Sequence, residues 1–160
     1  MKTCHKLKGN ALLLLLLFYS LSYGQGTDPV VITLTVDTEQ LGNDRNMPGG
    51  CTLTAVPSSV VISTDSNPKS FTIQVKDGTE IEWVGVTTKG EDVKIKNIKW
   101  IRGINIFNKT NIPGQNSGGK EKVKDKIKRK TATDMDYEYL IEFKVQREGK
   151  YTLDPKIKVN

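Results

Sequence analysis

Alternation with a period of two runs along almost the whole chain, and it leaves few folds open. Val30, Ile32, Leu34 and Val36 fall on one face of a strand, with Val31, Thr33 and Thr35 on the other. Leu53 and Ala55 continue the pattern, and Pro57 forces a bend before Val60, Val61 and Ile62. Phe71, Ile73 and Val75 alternate with Thr72, Gln74 and Lys76, and Ile81 and Trp83 alternate with Glu80 and Glu82. Val93 and Ile95 follow against Lys94 and Lys96, then Ile98 and Trp100. The clearest run sets Tyr137, Tyr139, Ile141, Phe143 and Val145 against Glu138, Glu142, Lys144 and Gln146. Tyr151 to Leu153 and Ile157 to Val159 complete about nine short strands, and no amphipathic helix is evident. A half-polar strand needs its apolar face covered. The pattern therefore predicts an all-β fold, a two-sheet antiparallel β-sandwich whose inner faces supply the core.

Turn chemistry punctuates the strands. Lys76-Asp77-Gly78-Thr79 carries the Asp-Gly pair that accepts the positive φ of a hairpin turn, and Glu148-Gly149 marks another. The exception is residues 108–136. Asn108 to Gly119 is rich in Asn, Gly and Ser, with Ile112 as its only bulky apolar side chain. Lys120, Lys122, Lys124, Lys126, Lys128, Arg129 and Lys130 then stand against only Glu121 and Asp125, a local excess of five positive charges. Val123 and Ile127 are spaced for a helical turn or two, but charges this dense equally suit a solvated hairpin arm. The segment reads as one long, mobile, basic loop without a core of its own.

The first 24 residues have the three-part plan of a secretory signal. Lys2, Lys6 and Lys8 precede an apolar run from Ala11 to Tyr19, and Ser22-Tyr23-Gly24 places small residues where a signal peptidase cuts. That run is shorter than the roughly 20 residues needed to span a bilayer. The expected product is a single domain over residues 25–160, exported to the periplasm or the cell surface, with no transmembrane segment. It carries 21 basic and 18 acidic residues, a net charge of +3. Cleavage removes His5, the only histidine, and Cys4, leaving Cys51 as the one thiol. Cys51 alternates with Leu53 and Ala55, so it is expected inside the domain as a small hydrophobe.

The Val56-Pro57 step, Gly78 leading into Ile81-Glu82-Trp83, the Tyr139-to-Val145 strand and the ending Tyr151-Thr152-Leu153-Asp154-Pro155-Lys156-Ile157 together resemble small exported bacterial β-sandwich proteins. The resemblance is to immunoglobulin-like and cupredoxin-like types. The Ser-Tyr-Gly-Gln cleavage region is similar to those of Bacteroidetes-type bacteria. It implies a fold and no specific activity. The chain departs from both types: a cupredoxin copper site needs histidine, and the inter-sheet disulfide of immunoglobulin domains needs a mate for Cys51.

Without histidine in the mature chain there is no Ser-His-Asp or Cys-His arrangement, and no cofactor or metal is expected. Carboxylate pairs remain, Asp37 with Glu39 and Asp134 with Asp136, and they read as solvated loop and strand-end residues. A Ca²⁺ site from Asp37, Glu39 and Asp44 lacks the spacing of a Ca²⁺-binding loop. Trp83 and the tyrosines share faces with core residues, whereas Asn97 breaks the alternation ahead of Trp100 and leaves it as the candidate exposed aromatic. The predicted function is a non-enzymatic binding module of the cell envelope. Its basic loop would contact a protein partner, a polysaccharide or another polyanion, and without interleaved aromatics it would not read nucleic-acid sequence. The alternatives are a carbohydrate-binding module built on Trp100 and the Tyr-rich strand, and a hydrolase that uses only carboxylates.

Overall fold

A computed structural model describes residues 28–64, 67–146 and 148–160. The expected signal segment lies outside them. Twelve strands follow in chain order, β1 (Val30–Val36), β2 (Cys51–Val56), β3 (Val61–Ser63), β4 (Thr72–Val75), β5 (Glu80–Thr87) and β6 (Lys94–Arg102). The second half holds β7 (Asn111–Pro113), β8 (Gln115–Ser117), β9 (Lys120–Lys126), β10 (Tyr137–Val145), β11 (Gly149–Leu153) and β12 (Lys156–Val159). The only helical pieces among the described residues are single 3₁₀ turns at Ser58–Val60 and Pro68–Ser70. No helix among them is long and apolar enough to cross a membrane.

Two sheets pack face to face, as the alternation predicts. One has the order β2-β1-β5-β9-β8, and the other runs β3-β4-β12-β10-β6-β7 with β11 also paired to β10. β11 and β12 share one side of β10: β11 faces Ile141 to Val145 and β12 faces Tyr137 and Glu138. The inward residues of β1 and β10 are buried, and their polar neighbours line the outer faces. On the outer face of the first sheet Thr33 sits opposite Thr54 and Thr35 opposite Thr52.

Two features differ from the expected antiparallel plan. β1 runs parallel to β5, and β12 runs parallel to β4. Alternation records only which face is buried, so strand direction left no trace in it. The Asp77-Gly78 turn forms, with Gly78 at φ 80°. It does not close a hairpin, because β4 and β5 belong to different sheets. The turn carries the chain from one layer to the other.

The core centres on a cluster of edge-on rings. Trp83 meets Phe107 at 5.7 Å and Tyr139 at 5.8 Å between centroids, and Phe107 meets Tyr137 at 5.4 Å. Such contacts set the positive edge of one ring against the negative face of another. The Trp83 indole N–H donates to the Tyr139 hydroxyl at 3.1 Å, which satisfies a donor that burial would otherwise strand. Cys51 is buried and free, facing inward with Leu53 and Ala55.

Candidate binding surface

The segment expected to be a coreless loop is for the most part built into the sandwich. β7, β8 and β9 all fall within residues 108–136, and Ile112, Val123 and Ile127 are buried. The reason lies on β5. β9 pairs antiparallel with β5, so that Glu82 stands opposite Lys124 and Glu80 opposite Lys126. Two carboxylates thus lie beneath the row of lysines and offset the repulsion that argued against order. The polar face of β5, Glu80 and Glu82 flanking Ile81, was the signal in the sequence that this basic stretch had a partner strand.

Charge along the stretch is divided unequally. Lys122 is paired with Glu82 at 2.6 Å and Lys124 with Glu80 at 2.8 Å. The Glu80 carboxylate holds the Lys124 ammonium above its usual pKa. The two acids within the run are also engaged, Glu121 with Lys96 at 2.5 Å and Asp125 with Lys109 at 2.7 Å. Lys126, Lys128, Arg129 and Lys130 are exposed and carry no ion pair among the described residues. Lys120 is likewise exposed, but it lies six residues up the strand from Lys126, about 20 Å away at strand spacing. There it borders a cleft of about 350 Å³ whose lining also includes Glu82, Asp92 and Glu121, a wall of mixed sign. The seven basic residues therefore do not form one surface.

Trp100 is the remaining candidate, and it pairs with Tyr139 in the larger sheet. The residue is 37% exposed and its indole N–H donates to the Gly103 carbonyl at 3.1 Å. The alternation break at Asn97 is a register shift in the β6–β10 pairing, where Asn97 faces Glu142 and Ile95 faces Phe143. Gly103 turns the chain at φ 85°, with its Cα so close to the Asp136 carbonyl that a Cβ would collide with it. Beyond the turn, the Ile106 carbonyl accepts the Lys128 N–H at 2.8 Å. This places Lys128 to Lys130 and the exposed Trp100, Ile101, Ile104 and Met135 at the same end of the sandwich.

The other aromatics do not join it. Trp83, Tyr137, Tyr139 and Tyr151 are buried, so the Tyr-rich strand offers no stacking platform. The phenol of Tyr137 has no hydrogen-bond partner among the described residues, and burial together with the Asp125 charge pushes its pKa up. The carboxylates weighed for a cation are spent on their own loops. Asp37 accepts the Glu39 N–H and the Gln40 amide, and Asp44 accepts the N–H groups of Asn46 and Met47. Glu39 pairs with Lys89.

These features define an all-β sandwich with a basic, tryptophan-bearing end. No family model and no curated protein matches the chain. Among solved structures its fold is similar to that of the inclusion body protein PixA from Burkholderia cenocepacia J2315, with a TM-score of 0.64. The two share 10% sequence identity over 88% of this chain and 100% of that one, a likeness of fold alone.

Proposed function

We propose that the chain is an exported, non-enzymatic binding module that engages an acidic polysaccharide at the end carrying Lys126, Lys128, Arg129, Lys130 and Trp100. The observation that carries this reading is the division of charge along β9 and its sequel. Lys122 and Lys124 are neutralised by Glu82 and Glu80, whereas the four later basic residues are exposed without an ion pair among the described residues, on the side of the fold that also carries the partly exposed Trp100. Unpaired cations supply counterion release, and an indole supplies a flat apolar face for a sugar ring.

Binding to immobilised heparin, read against salt, tests the proposal. Replacing Lys126, Lys128, Arg129 and Lys130 by glutamine is expected to reduce the slope of log K against log salt by about 3. Replacing Lys122 and Lys124 is expected to leave it nearly unchanged. Trp100→Ala is expected to weaken binding about three- to tenfold at fixed salt. Equal losses from both lysine sets, or no retention of the wild-type protein, would refute it.

A further inference from the structure

We propose that β2 pairs with β2 of a second copy of this chain, joining two five-stranded sheets edge to edge across a two-fold axis. β2 ends its sheet and is paired only to β1 among the described residues. Among the described residues, no hydrogen bond links the backbone of residues 51–56 to any other segment. In an antiparallel pair, alternate residues direct their N–H and C=O groups away from the partner. Half of the groups of β2 therefore face outward along roughly 20 Å of edge.

The 3₁₀ turns at Ser58–Val60 and Pro68–Ser70 come near β2, but the strand itself carries no guarding charge, proline or bulge. Residues 46–64 contain no charged side chain, in a chain that is 26% charged. The same stretch holds Met47, Val56 and Ile62, which are 52%, 65% and 53% exposed. The other edges are protected, and on β11, which pairs only with β10 among the described strands, the Thr152 N–H is taken by the Arg45 carbonyl. β7 ends in Pro113, β3 has three residues and a register shift, and β8 is a three-residue strand joined to the lysines of β9. Charge, proline, bulges and shortness are the devices by which open edges avoid pairing.

A second copy fits this edge better than any other occupant. A two-fold axis lays β2 antiparallel on itself, so each outward donor meets the equivalent acceptor. No like charges meet, and Thr52 and Thr54 make cross-strand contacts with threonines of the same kind. Because the remaining edges are guarded, the contact is isologous and closes as a dimer rather than growing into a fibre.

Sedimentation equilibrium of the purified protein over a wide concentration range is expected to give the dimer mass, shifting to the monomer on dilution. Thr52→Lys with Thr54→Lys, both at exposed positions, is expected to give monomer throughout. Gln115→Lys with Asn116→Lys, on the opposite edge, is expected to leave the dimer intact. Hydrogen exchange of the wild type provides a readout without substitution: the amides of residues 51–56 that face away from β1 should lose protection on dilution while those of β10 keep theirs. A monomer at every concentration, a dimer that survives lysine in β2, or a dimer whose β2 amides exchange freely would overturn the proposal. So would protection that appears only when an extended peptide from another protein is added.

Discussion

Tyr139 has two tasks in the core: its ring packs edge-on against Trp83, and its hydroxyl accepts the indole N–H. Tyr139→Phe keeps the ring and removes the acceptor, leaving a buried donor without a partner. The expected loss is about 1–3 kcal/mol, read as a lower urea midpoint with an unchanged slope. Cys51 illustrates the opposite kind of burial, with no polar partner for its thiol among the described residues. Exclusion of water pushes its thiol up to about 12, so it stays protonated at neutral pH. The native protein is expected to resist thiol reagents that label it promptly once urea unfolds it. Prompt labelling of the folded chain would show that Cys51 is accessible. Its inward direction was legible from Leu53 and Ala55 two and four residues on. The pairing of Trp83 with Tyr139 was not, because 56 residues separate them and alternation names faces rather than neighbours.

At the scale of the element, β9 shows how a strand can be hidden by its own charge. Its lysines alternate outward, and only Val123 and the following Ile127 turn into the core. Exposed ion pairs contribute little to stability, so these two aliphatic side chains must hold the strand down. Val123→Ala is therefore expected to destabilise the fold by about 2 kcal/mol, whereas Lys124→Gln should barely move the unfolding midpoint. If Val123→Ala proved neutral, the segment would be the detached loop that its composition suggests. One apolar residue between lysines is too weak a signal to mark a strand when the acids that balance them, Glu82 and Glu80, sit 40 or more residues earlier. Strands with longer apolar faces, such as β1 and β10, could be read directly.

For the molecule as a whole, alternation specified the layers but neither the strand directions nor the crossing between sheets at Gly78. The outer face of the larger sheet adds a dependence on pH. Hydrogen bonds from Arg102 hold Glu138 below its ordinary pKa of 4.5. Burial raises Glu142, but hydrogen bonds from Lys99 and Asn97 outweigh it and bring that carboxyl below the same value. Lowered acids add stability that is complete above their unfolded pKa and is lost as pH falls through the folded one. Thermal stability is thus expected to decline below about pH 4.5, and Glu138→Gln with Glu142→Gln should flatten that decline. An unchanged acid limb would mean that other carboxylates set it. The parallel pairings carry a further consequence, in the order of synthesis. β12 lies in the interior of its sheet, bridging β4 to β10, although it follows every other strand of that sheet in the chain. A ribosome emitting this chain delivers the keystone of the larger sheet after that sheet's other strands, so the sheet must stay open until residue 159 has emerged.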